Sequence, residues 1–305
     1  MTGCPDPADV ELLGLSFDPD GRQGRFTLTP RVSRGDGALY GGTAIAVAVV
    51  AMEAATRRPC LWITTQYVSQ ASTGDVIDCP VEVLSNGRHI SQCQVTGRLG
   101  DRVLFVALGS TAAPRPDGME GQYEEMPAVT GPDRGVPMAT GPGPRVESPP
   151  ADQPGFHSWV EVRVAETLGP PESAPHMALW ARIVPTAAPE GWTGLTRAGI
   201  AFLADMVPPA IARAAGIAGG GISLDNSMRF GSVPDGVEWV LMDLRGHMAA
   251  GSHGHGSVRV WTPDGALVAV GGQSANMRFN FGRLDSPEAR AAWASRAAPG
   301  GGDDR

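Results

Sequence analysis

Gly41-Gly42-Thr43-Ala44-Ile45-Ala46-Val47-Ala48-Val49-Val50-Ala51-Met52-Glu53-Ala54-Ala55 is the stretch that decides the fold of this 305-residue chain. Nearly every residue in it is small and apolar, which suits a helix wrapped by a sheet rather than one facing solvent. Arg25 to Pro30 reads as a strand before it, and Cys60 to Tyr67, Val76 to Leu84, His89 to Arg98 and Val103 to Leu108 read as strands after it. Asn86-Gly87 and Gly100-Asp101 punctuate the later strands as hairpin turns, and Val81, Val83 and Ile90, Cys93, Val95 carry partly two-residue periodicity. The glycine pair at the helix start permits a tight turn and brings backbone N–H groups close to a ligand or a neighbouring chain. An antiparallel meander around one central helix is the simplest assembly.

The same order recurs roughly 160 residues on, the mark of a duplicated unit. Ser158 to Val164 and His176 to Val184 read as strands, and a helical run from Trp192 to about Arg213 carries Leu195, Ile200, Leu203, Met206 and Val207. That run is expected to break at Pro208-Pro209. Strands resume at Gly221 to Phe230, Val237 to Leu244, Gly256 to Thr262 and Ala266 to Gly272, with Asp264-Gly265 as a hairpin turn. The fold class expected is α+β, built from an N-terminal unit over 1–111 and a C-terminal unit over 156–280. Residues 112–155, with Gly131-Pro132, Gly135-Val136-Pro137 and Gly141-Pro142-Gly143-Pro144, are too punctuated for a core element and read as a linker, with Met119 and Met126 open to an apolar substrate. Residues 281–305 read as a tail.

Bulk properties narrow the function. A composition 42% hydrophobic supports substantial cores, and a net charge of -8 without a dense basic stretch weighs against nucleic acid as a partner. Cys4, Cys60, Cys79 and Cys93 form no metal or redox spacing and read as buried or idle thiols. The N-terminal residues lack the pattern of a signal peptide, and no stretch approaches the ~20 apolar residues of a membrane span, so a cytoplasmic protein is expected. No nucleophile elbow, phosphate loop or dinucleotide fingerprint is present, and no cofactor is expected.

Polar residues on strand-like segments supply the candidate chemistry. Asp225, within Ile222-Ser223-Leu224-Asp225-Asn226-Ser227-Met228-Arg229-Phe230, is placed to be a general base or a turn anchor. Gln273 ends the Leu267 to Ser274 run, and its amide can fix a water molecule or simply cap a strand. His247 in Arg245-Gly246-His247-Met248 is placed to be an acid, a base, a hydrogen-bond donor or a turn residue. His253 and His255 lack a third and fourth ligand, so no metal site is expected.

From Ser223-Leu224-Asp225-Asn226-Ser227-Met228-Arg229-Phe230 through Glu238-Trp239, Thr262-Pro263-Asp264-Gly265 and Leu267-Val268-Ala269 to Gln273 and Met277-Arg278, the chain resembles the double-hotdog acyl-CoA thioesterases of the TesB-like, thioesterase II type. Tyr40-Gly41-Gly42 and Leu84-Ser85-Asn86-Gly87-Arg88 extend the resemblance into the first half. It implies a double hotdog, two fused units each with a long helix wrapped by an antiparallel sheet, and an enzyme that hydrolyses acyl-CoA thioesters with an activated water. It also implies that Asp225 is the acid and Gln273 the amide of the site, with His247 standing where the family offers a hydroxyl. The segment Ile63-Thr64-Thr65-Gln66-Tyr67 lacks the family's usual histidine, which weakens the assignment of a catalytic site to the first half. In the hydrolytic reading apolar acyl carbons occupy a channel between helix and sheet. The substrate is an acyl-CoA or acyl-carrier-protein thioester. Competing readings are a noncatalytic binding protein for the same ligands and an enoyl thioester hydratase. Exposed sheet edges leave room for a homo-oligomer.

Overall fold

The computed structural model describes residues 5–113, 115, 118–138, 155–168 and 176–283. The central part of the expected linker and most of the expected tail lie outside the described residues. The N-terminal unit holds α1 (Pro7–Leu13), β1 (Leu15–Phe17), β2 (Gln23–Thr27), α2 (Gly41–Thr56), β3 (Cys60–Tyr67), β4 (Val76–Asn86), β5 (Ile90–Leu99) and β6 (Arg102–Ala112). After a short β7 (Val136–Pro137), the C-terminal unit holds β8 (Val160–Val164), β9 (His176–Ile183), α3 (Arg197–Leu203), α4 (Val207–Ala214), β10 (Ile217–Ser223), β11 (Asp225–Phe230), β12 (Val240–Ala250), β13 (His253–Trp261) and β14 (Leu267–Arg283).

Among the described residues the strands form one sheet in the order β1-β2-β4-β5-β6-β3-β11-β14-β13-β12-β9-β8-β7, with β10 hydrogen-bonded to β14 beside that path. The order β2-β4-β5-β6-β3 in one unit matches β9-β12-β13-β14-β11 in the other, which is the duplication read from the sequence. The seam is the antiparallel pair β3 and β11, with Asp225 opposite Gln66, Asn226 opposite Thr65 and Met228 opposite Ile63. α2 is buried along its length from Gly42 to Ala54, as a nearly all-apolar helix must be. Its Glu53 is buried too, and its Oε1 accepts the Cys60 N–H at 2.8 Å.

The second helical run departs from expectation. The Thr196 hydroxyl caps α3 by accepting the Gly199 N–H at 3.1 Å, and the helix ends at Leu203. Ala204, Asp205 and Met206 are not helical, and α4 then starts at Val207 with Pro208 and Pro209 in its first turn. Proline is tolerated there because the first N–H groups of a helix have no intrahelical partner. The proline pair therefore begins the second helix, and the interruption falls at Asp205.

The segment expected to be a plain linker has a packing role. Met126 and Val129 cover Trp180, Leu241 and Trp261 on the outer face of the C-terminal sheet, forming a small second core. Gln122 donates to the Gly265 carbonyl and accepts from the Leu267 N–H, and the Trp180 indole donates to the Thr130 carbonyl at 2.7 Å. Met119 is 94% exposed. β14 also continues to Arg283, past the expected end of the unit at residue 280.

Candidate active site

The interruption between α3 and α4 turns Asp205 into the space between the two units. Asp205 is buried, and its Oδ1 accepts a hydrogen bond from Asn226 Nδ2 at 3.0 Å and another from Gln273 Nε2. Gln273, fully buried on β14, also donates to Ser223 Oγ at 2.7 Å, while its Oε1 accepts the Val207 N–H at 3.1 Å. That last contact fixes which way the amide points. A backbone N–H needs an acceptor, so the carbonyl end must face Val207 and both amide protons are left for Asp205 and Ser223.

The other unit closes on the same carboxylate. The Gly42 N–H, in the first turn of α2, hydrogen-bonds Asp205. A Cβ built on Gly41 would lie 2.5 Å from Asp205 Oδ2, and one on Gly42 would collide with the Phe202 carbonyl and the Tyr40 ring. Here the glycine pair is required by close approach. The Tyr40 hydroxyl donates to the Phe202 and Asp205 carbonyls at 3.1 and 3.3 Å, and the Tyr67 hydroxyl donates to the Gly41 carbonyl at 3.0 Å. Burial pushes the Asp205 carboxyl up to about 7, and the hydrogen bonds from Asn226, Gln273 and Gly42 together with Arg34 hold it from rising further. The group is poised near neutral pH, where a general base is most effective.

Asp205 and Ser223 lie on the wall of a cavity of about 750 Å³ between the units. Its other walls include Tyr40, Tyr67 and Phe156 on one side and Met206, Pro208 and Ile222 on the other, with Arg34 and Asp36 among its polar residues. A buried carboxylate with a raised pKa, a hydroxyl and a fixed amide converge on an apolar pocket. Such a constellation can take a proton from water and deliver that water to an electrophile.

The three sequence-predicted residues fall differently. Gln273 lies at the centre of the cluster. Asp225 stands on the opposite face of β11 from Asn226, and its Oδ1 accepts the Ser274 N–H at 2.6 Å, so strand alternation turns it away from Gln273. His247 is exposed at a bulge between β12 and β13 and bonds Ser257 Oγ at 2.7 Å on the outer sheet face. The acid in the cluster is Asp205 and the hydroxyl is Ser223. The signal for Asp205 was present, since it is the single charged residue between Arg197 and Arg213 and it stands just before two prolines.

Fold and cavity together define a double-hotdog protein with a polar centre between its units. Two domain models of the acyl-CoA thioesterase family match, the N-terminal domain over residues 28–112 and the C-terminal domain over 132–277, and the chain belongs to that family. Its activity is the hydrolysis of acyl-CoA thioesters. A candidate thioesterase of Novosphingobium aromaticivorans is 29% identical, with a TM-score of 0.74 over 87% of this chain and 98% of its own. Two further structures share the fold. A tesB protein of Mycobacterium avium subspecies paratuberculosis is 20% identical, with a TM-score of 0.70 over 88% of this chain and 97% of its own. An acyl-CoA thioesterase II of Mycobacterium marinum is 19% identical, with a TM-score of 0.65 over 89% of this chain and 97% of its own. No curated protein matches the chain.

Proposed function

We propose that Asp205 is the general base of thioester hydrolysis, with Ser223 holding the attacking water and Gln273 holding both side chains in register. The observation that carries this reading is the Gln273 amide, which donates at once to the buried carboxylate and to the hydroxyl on the cavity wall. Because Ser223 Oγ already accepts from Gln273, its own proton is left to donate to an oxygen in the cavity. A water molecule that accepts from Ser223 and donates to Asp205 turns a lone pair outward, toward a thioester carbonyl carbon bound beside it. Attack forms the new C–O bond as a proton passes to Asp205. Collapse then breaks the C–S bond, and the proton returns from Asp205 to the departing sulfur. The N-terminal turn of α2, with Gly41 on the cavity wall, offers positive backbone groups near the carbonyl oxygen.

Free-thiol release from purified protein tests the assignment. Asp205→Asn keeps the shape and removes the base, so kcat falls by roughly 10²- to 10⁴-fold, the usual worth of general base catalysis. A folded variant with wild-type kcat removes Asp205 from the mechanism. The carrier in this reading is coenzyme A. Acyl-carrier-protein thioesters cleaved with an equal or higher kcat/KM would replace it.

A further inference from the structure

Behind the polar centre, where a channel between helix and sheet was expected to take the acyl chain, α4 lies directly on the strands. Gly256 of β13 is paired with Gln273, and a Cβ built on it would come within 2.6 Å of Val207 Cγ1. One turn further on, a Cβ on Gly254 would lie 2.6 Å from Ile211 Cγ2, and one on Gly246 would lie 2.8 Å from Ile211 Cα and 2.9 Å from the Ala210 carbonyl. Val207, Ala210 and Ile211 are all buried. Three glycines on two adjacent strands thus let the helix settle against sheet backbone, and the space that larger side chains would prop open is filled. The same Val207 whose N–H orients Gln273 blocks the way past it.

We infer that this thioesterase is selective for short or compact acyl groups, and that Val207 and Ile211 set the limit. The inference rests on the Asp205 site being the place where the thioester carbonyl binds. An acyl group anchored there cannot pass between α4 and the glycines of β12 and β13, and is confined to the cavity walled by Tyr40, Tyr67 and Phe156 on one side and by Met206, Pro208 and Ile222 on the other, which it shares with the thiol end of its carrier.

Binding of nonhydrolysable acyl-CoA thioethers, followed by calorimetry, tests this without requiring turnover. Each methylene that enters an apolar pocket tightens binding about fourfold. Affinity is expected to rise from acetyl to hexanoyl and then level off, with dodecanoyl no tighter than hexanoyl. If dodecanoyl binds more than about sixtyfold tighter, as burial of three further methylenes gives, the closed channel is not the limit and the inference is wrong. In a V207A/I211A variant the dodecanoyl-to-hexanoyl affinity ratio should rise at least tenfold, and an unchanged ratio in folded protein overturns the role given to these two side chains. Should the double variant not fold, V207A alone is read the same way. Because binding and not thiol release is measured, retention of activity by Asp205→Asn would sink the proposed base and leave this result standing.

Discussion

The two units present the same strands in the same order, yet the carboxylate, amides and hydroxyl of the polar centre all come from one of them, and the difference lies in a few positions. In the C-terminal unit the helix is cut at Asp205. In the N-terminal unit α2 runs from Ala44 to Met52 without one polar side chain. At the seam Asn226 faces Thr65, and extending the β11 register by one residue places Gln273 beside Asn226, whereas Ala107 lies opposite Thr65. The C-terminal unit thus has two amides converging on a carboxylate where its twin has a threonine and an alanine. A broken helix leaves backbone and side-chain polar groups to be satisfied from outside, and the amides and the Gly42 N–H do so. The unbroken helix needs nothing of the kind.

The sharpest way to break this contrast is Asp205→Asn, whose loss of turnover should be accompanied by a gain in stability. Between about pH 4 and pH 7 the unfolded chain holds this carboxyl ionised while the folded chain holds it protonated, so wild-type stability falls as pH rises through that window. The fall is on the order of 4 kcal/mol as an upper bound. The asparagine variant does not titrate, so its Tm advantage should widen from pH 5 to pH 7 and then stay constant. Asp9, also pushed up to about 7 by burial, adds its slope equally to both proteins. A Tm difference independent of pH would mean that Asp205 is not desolvated.

Asn226→Leu is expected to have the next largest effect. With one donor lost, the Asp205 carboxyl rises further, and the acid limb of the kcat/KM profile should move upward from near pH 7. A limb that does not move would separate Asn226 from the base. At the matching N-terminal position, Thr65 is buried with its Oγ1 unpartnered. Thr65→Val is therefore expected to be neutral or to stabilise by up to about 1 kcal/mol in denaturant unfolding, with kcat unchanged. Smallest of all, Asp225→Asn and His247→Ala should each leave kcat/KM within about twofold of wild type, as substitutions outside the cavity do. A loss above tenfold in either would return the chemistry to the outer face of the sheet.

The fold was legible because its signals are periodic and local. The apolar run at 41–55, the hairpin turns and the repeated strand order needed no knowledge of distant contacts. The site was legible only in part. Gln273 stood at a strand end in a resembling motif, but Asp205 sat in a stretch that reads as continuous helix, and its role depends on an interruption placed just ahead of Pro208-Pro209. Asp225 drew attention because it is a carboxylate within a strand-like segment, yet the bend at Leu224 decides which side chains face inward, and it selects Ser223 and Asn226. The packing of the linker was not legible for a related reason. Glycine and proline mark it as irregular, but Met126 and Val129 cover apolar side chains that would otherwise face water.

The lodging of Asp205 against Gly41 and Gly42 makes activity contingent on assembly. Synthesis delivers the N-terminal half first, and the later half brings Asp205 with its own two amides, so that the enclosure of the carboxylate is finished only by packing against Gly41 and Gly42. On the proposed reading, a molecule lacking the N-terminal unit should therefore release no thiol from acyl-CoA.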